Sequence, residues 1–198
     1  WGRGARLTLP GALVALAAAS WGFGHTALER GGAPAPALAV QRPLNVIVLA
    51  LDTVRADQTS ILGERPEGRD TTENLRRLAE RGFNFRRAIT QAPWTIPAFA
   101  SVITGQYPHE HGALVLDSKL GPAQVTLAEV LREAGYETYG VVSHMFLQAY
   151  RGFAQGFDGY DESATSVPDI HRASSSGPVT DSALAFLGRE HERPFFLF

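Results

Sequence analysis

The run LNVIVLALD, Leu44 to Asp52, constrains the fold more than any other stretch of the chain. Its valine, isoleucine and leucine residues follow one another without the polar alternation of a half-exposed strand. They therefore specify a strand covered on both faces. Strands of that kind belong to parallel sheets, whose connections are helical crossovers. The later sequence supplies such helices. DTTENLRRLAERG opens with Asp70 and Glu73 in capping-box spacing, carries Leu75, Leu78 and Ala79 inward and stops at Gly82. VTLAEVLREAG repeats the pattern, with Thr126 and Glu129 as the cap, Leu127, Val130 and Leu131 inward and Gly135 at the end.

FNFRRAIT, residues 83–90, alternates loosely and predicts a short strand. A helix follows from Pro97 to Thr104, closed by Gly105. YETYGVV reads as the next strand, Ser163 to Pro178 as a polar loop, TDSALAFLGRE as a last helix and PFFLF as a last strand. The expected fold class is α/β, a largely parallel sheet sandwiched by helices with right-handed crossovers.

Residues 1–27 differ from this pattern. Arg3 and Arg6 precede LTLPGALVALAAASWGFG, the layout of a signal peptide or membrane anchor, positive flank first. Residues 28–42 read as a Pro/Ala-rich linker, and 43–198 as the strand-and-helix domain. Localisation is expected to be exported, periplasmic or extracellular, or membrane-anchored, with membrane association through the N-terminus. The chain begins at Trp1, holds its single methionine at Met145 and stops inside an apparent strand, so it reads as part of a longer protein. A net charge of −2 and the lack of any RNA or DNA motif exclude a nucleic-acid partner. With 0 cysteines, disulfides, thiolate zinc sites and a cysteine nucleophile are excluded too.

In a parallel sheet, ligands gather at the carboxyl ends of the strands. Asp52 closes the first strand there. A carboxylate after a buried strand is costly to desolvate unless it binds a cation, although an aspartate capping the next loop is the commoner case. Thr95, in WTIPAFASVITG, stands at the mouth of the Pro97 helix, beside unpaired backbone N–H groups and the positive helix end. One reading is a simple N-cap. The other is a nucleophile, which needs a base or a cation that favours its alkoxide. Asp52 holding a divalent metal against Thr95 meets that need.

Four ordered stretches, RPLNVIVLALDTVRAD, WTIPAFASVITGQYPHEHG, TLAEVLREAGYETYGVVS and GFAQGFDGYDE, resemble the N-terminal part of the sulfatase family. That family belongs to the alkaline-phosphatase-like superfamily of metal-dependent ester hydrolases and transferases. The resemblance covers nearly all of Pro43 to Phe198 and implies an alkaline-phosphatase-like sheet truncated at its C-terminal end. It matches Asp52 to the first metal-binding aspartate, Thr95 to the nucleophile and Pro97 to the signature proline. The divalent ion it implies is calcium, magnesium, manganese or zinc. The implied substrates are sulfate or phosphate esters, small molecules or lipid or glycan esters. The remaining metal ligands, an Asp-His pair, are implied beyond Phe198, so this fragment alone is expected to be inactive.

The sequence departs from the family pattern at several points. Thr95 cannot yield the formylglycine of true sulfatases, Thr53 replaces a second acid, and Phe99 stands where the signature has arginine. GVVSHM lacks the Lys-x-His pair that contacts sulfate. A single acid with a threonine nucleophile resembles the phosphotransferase and phosphodiesterase branches of the superfamily. The unusual residues Thr53, Phe99 and Ser143 also suit a non-catalytic remnant. A phosphoaspartate domain is rejected, because Val54 occupies the place of its second acid. His144, at a strand end where the family keeps its anion contacts, is a further candidate. His109, His111, Arg55, Asp57 and Lys119 read as structural or solvated.

Overall fold

The alternation of Phe195, Phe196 and Leu197 decides how the layers stack. In this computed structural model, which describes residues 43–61, 70–166 and 176–198, they form one strand. The leader or anchor expected over residues 1–27 and the linker over 28–42 lie outside the described residues. Four strands, β1 (Val46–Ile47), β2 (Glu137–Val141), β3 (Gly159–Asp161) and β4 (Phe195–Leu197), pair in the order β1-β4-β2-β3. Every pairing is parallel, so the expected α/β class and parallel sheet are what the chain adopts. The helices are α1 (Glu73–Ala79), α2 (Thr95–Thr104), α3 (Pro108–His111), α4 (Leu127–Glu133) and α5 (Ser176–Leu187). Among the described residues, no helix is long and apolar enough to cross a membrane.

Because side chains alternate along a strand, β4 faces two ways. Phe196 packs with Val46, Ala128 and Leu131 under α4, while Phe195 and Leu197 pack with Phe186 of α5 on the other face. Each buried phenylalanine contributes about 1.5–3 kcal/mol. A third cluster, Ile96, Ala100 and Ile103 of α2 with Val142 and Leu147, shares Phe198 with the α4 side. α2 therefore rides on the same face as α4, and its first turn reaches the carboxyl edge of the sheet.

Local signals fix α4 as expected. Thr126 accepts from the Glu129 N–H, the Glu129 carboxylate accepts from the Thr126 N–H, and Gly135 adopts φ 90° just past the helix. β2 and β3 meet through a reciprocal exchange. Tyr139 lies opposite Gly159 and Gly140 opposite Tyr160, so each ring covers the bare backbone of its partner.

Several expectations are corrected. β1 is an edge strand shorter than Leu44–Asp52, with Ile47 55%, Leu49 69% and Leu51 50% exposed. Among the described residues, only β4 pairs with it. Residues 83–90 form no strand, since no described neighbour offers a ladder, and Phe83, Phe85 and Ile89 stand exposed. No capping box forms at Asp70. Its carboxylate accepts from Ser60 Oγ at 2.5 Å and Arg76 Nε at 3.0 Å, and α1 starts only after Thr72. In α4, Ala128 takes the inward place expected of Val130, which is exposed. α5 starts at Ser176, inside the expected loop, and β3 was not anticipated.

Candidate active site

Three side chains converge beyond the ends of β1 and β2. Asp52 stands in the turn after β1, which stops at Ile47, instead of closing the strand as expected. Thr95 is the first residue of α2 and not its cap. Trp94, in an extended conformation, holds the N-cap position with no side-chain cap bond. The Thr95 hydroxyl is thus free of capping work and donates to Asp52 Oδ2 at 3.0 Å. The reading of Thr95 as an N-cap is corrected accordingly. Pro97 falls in the third helical place, where a missing N–H costs no intrahelical bond. The N–H groups of Thr95 and Ile96 have no partner within the helix and give its mouth a positive end.

His144 approaches from the end of β2. Its Nε2 lies 3.9 Å from Asp52 Oδ2, the same oxygen that accepts from Thr95. That distance is an electrostatic contact and not a hydrogen bond. His144 Nδ1 accepts the Phe146 N–H at 3.2 Å, so a neutral ring carries its proton on Nε2, facing the carboxylate. Phe146 backs the ring at 5.0 Å and is itself braced edge-on by Trp94 at 6.4 Å.

Thr53 is the one described non-glycine residue with positive φ, at 58°. A β-branched residue there is strained, and sparsely populated geometry of this kind clusters at functional sites. Its hydroxyl donates to the Asp52 carbonyl at 2.8 Å. Asp52, Thr53, Phe99 and His144 line a cavity of about 1050 Å³ whose other walls are largely apolar. Thr95, only 9% exposed, does not line it and is joined to it through Asp52.

The remaining candidates lie elsewhere. Arg55 is bound to Asp57 at 2.6 Å on the surface, which raises the arginine pKa and lowers that of the acid. His109 is exposed and stacked on Tyr107 at 5.9 Å, and Lys119 sits over the Tyr150 ring. His111 is buried beneath α2, with Nε2 3.1 Å from Ser101 Oγ. Burial pushes its pKa down.

A divalent ion takes about four to eight donors. Asp52 Oδ2 and Thr95 Oγ1 are oxygen donors close enough to share one ion, and the carboxylate is about one-third exposed to the cavity. They fit one side of such a site. Among the described residues, no group of three or more His, Asp or Glu gathers around them.

The Sulfatase family model matches residues 44–198. The chain belongs to the sulfatase family. Among curated relatives of this sulfatase-family chain is the multifunctional alkaline phosphatase superfamily protein PehA of Trinickia caryophylli. It is 36% identical over 96 residues, covering 47% of this chain and 18% of PehA. Human arylsulfatase G is 32% identical over 126 residues, covering 61% of this chain and 23% of that protein. The chain thus spans about a fifth of the length of the curated relatives it matches.

Solved structures carry the same fold. The C-terminal periplasmic domain of EcEptC from Escherichia coli, in complex with Zn, aligns with TM-score 0.56 at 17% identity, over 79% of this chain and 43% of that one. BT4656, in complex with its substrate D-glucosamine-2-N,6-O-disulfate, aligns with TM-score 0.52 at 23% identity, over 64% of this chain and 28% of that one. These neighbours place the four-stranded parallel sheet in the alkaline-phosphatase-like architecture.

Proposed function

We propose that this chain carries the nucleophile half of a metal-dependent hydrolase or transferase of sulfate or phosphate esters. The observation that supports it is the 3.0 Å hydrogen bond from the Thr95 hydroxyl to Asp52, at a helix mouth on the carboxyl edge of the sheet. Thr95 Oγ attacks sulfur or phosphorus as its proton passes to solvent, the Asp52 carboxylate staying ionised. The bond from that centre to the leaving oxygen breaks, leaving a covalent Thr95 ester. Water or an acceptor alcohol then attacks the ester and restores the hydroxyl. His144 Nε2–H, beside the same carboxylate, donates to a non-bridging oxygen of the bound ester. A divalent ion held by Asp52 and Thr95 would supply positive charge that favours the alkoxide and the transferring anion. Residues outside this chain complete its shell in this reading, and the chain alone is inactive.

One observation favours phosphoryl chemistry and transfer over sulfate hydrolysis. Thr95 has a single hydroxyl on a branched carbon, so its ester must be cleared by external attack and not by elimination from an aldehyde hydrate. Sulfated substrates remain part of the reading, because relatives include an ulvan-active sulfatase and a steryl-sulfatase.

The test is turnover by the whole protein containing this chain. The probes are 4-nitrophenyl phosphate, bis(4-nitrophenyl) phosphate and 4-nitrocatechol sulfate, each with Mn, Mg, Ca or Zn. Thr95→Ala is expected to lose at least about 1,000-fold in kcat. Full turnover by that variant removes Thr95 from the mechanism.

A further inference from the structure

The geometry points to His111 as a positioning residue that staples α2, the helix bearing the nucleophile, to the turn after α3. It rests on the reading of Thr95 as nucleophile and extends it to the support beneath that residue. Two independent contacts fix the ring. His111 Nδ1 accepts the Ala113 N–H at 3.1 Å, so the neutral ring must carry its proton on Nε2. The same nitrogen stands 3.1 Å from Ser101 Oγ. The Nδ1 side therefore selects one tautomer, with an Nε2–H that donates to Ser101 Oγ on α2.

The place of these partners matters. Ser101 stands on the same helix as Thr95, within Thr95–Thr104. A side chain bonded to Ser101 steadies the helix that presents the Thr95 hydroxyl to Asp52. His111 itself is 3% exposed and Ser101 5%, so no water can take over the contact cheaply. His111 touches neither Asp52 nor the reacting atoms in this account. It acts through the placement of Thr95, where a displacement of about 1 Å costs about 100-fold in rate.

Two replacements separate this role from that of an ordinary turn residue. His111→Asn keeps an acceptor for the Ala113 N–H but cannot reach α2. His111→Gln keeps an N–H near the Nε2 position. In the whole protein, with bis(4-nitrophenyl) phosphate and 4-nitrocatechol sulfate as probes, His111→Asn is expected to lower kcat by about 10- to 100-fold. KM should stay within about twofold, and His111→Gln should keep kcat within about threefold of the parent. Equal behaviour of the two variants, or full kcat for His111→Asn, overturns the staple.

Nitrogen-15 NMR of the unsubstituted protein at neutral pH reads the tautomer without any turnover. A protonated Nε2 with bare Nδ1 is expected, and a proton on Nδ1 overturns the assignment even if neither variant folds. Thr95→Ala run in parallel keeps the two readings apart. Full activity there removes the nucleophile while leaving the tautomer result to decide the staple.

Discussion

Thr95 Oγ1 and Asp52 Oδ2 meet at 3.0 Å although 43 residues separate them in the chain. Neither residue type is unusual at its own place. A threonine opening a helix and an aspartate ending a strand each have ordinary structural uses. Their contact arises because Ile96, Ala100 and Ile103 of α2 are buried in the core, which brings its first turn to the segment that follows β1.

Asp52→Asn separates charge from geometry at this contact. The amide oxygen still accepts from Thr95, so the fold should persist. A cation loses its anchoring charge. Calorimetric Mn2+ affinity of the whole protein is expected to fall by about 10- to 100-fold or more. Unchanged affinity shows that the ion, if bound, sits elsewhere.

Thr53 tests whether strain is stored beside the site. At φ 58° its branched side chain opposes the backbone conformation, whereas glycine adopts it freely. Thr53→Gly is expected to raise stability by about 1 kcal/mol, the relief of strain exceeding the entropy glycine adds to the unfolded chain. The measurement is the urea midpoint at constant slope. A lower midpoint contradicts the strain argument.

Gly140 has a packing reason and not a conformational one. A Cβ built there stands 2.5 Å from the Tyr160 ring, which is half-buried and donates its hydroxyl to the Leu147 carbonyl at 2.6 Å. The ring cannot swing away without losing that bond. Gly140→Ala should cost about 1–3 kcal/mol, and Tyr160→Ala in the same chain should recover part of the clash component. A double-mutant cycle without coupling contradicts the ring-over-glycine arrangement.

The pH dependence of stability has a predictable component. Burial holds His111 below its ordinary value of 6.5, opposed by the Pro97 carbonyl and Glu110 and helped by His109. The unfolded chain therefore takes the proton first. The stability His111 contributes is fully present above about pH 6.5 and declines as pH falls towards its folded value. The carboxylates of Asp70 and Asp161 are held below 3.8 by hydrogen bonds, from Ser60 to the first and from Ser163 and Ser182 to the second. Their contributions are lost only in stronger acid. In denaturant titrations between about pH 7 and pH 5, His111→Gln should flatten the slope. An unchanged slope assigns the effect to other groups.

What was legible in the sequence follows from how local each signal is. The cap of α4 needs only Thr126, Glu129 and Gly135, so its limits could be read directly. The Leu44–Asp52 run reported that apolar residues must be covered, but not by what, and Leu49 and Leu51 stand exposed. β3 escaped because Gly159 and Tyr160 have no strand signature of their own. They pair through Gly140 and Tyr139, twenty residues away in sequence.

For the site, a strand-end acid and a helix-mouth hydroxyl were each visible, and family resemblance joined them. His144 was a candidate through the resemblance, but its approach to Asp52 was not visible. It depends on β4 inserting between β1 and β2, a topology that no local pattern encodes. The left-handed Thr53 was equally hidden, since threonine carries no signal for that conformation.

The most direct measurement is mass mapping of peptides from the whole protein, quenched in acid during turnover of bis(4-nitrophenyl) phosphate or 4-nitrocatechol sulfate. The account predicts a phosphoryl or sulfo group on the peptide containing Thr95, localised to that side chain and absent from Thr95→Ala. Steady turnover with no modified Thr95 peptide, and with Thr95→Ala equally active, contradicts it.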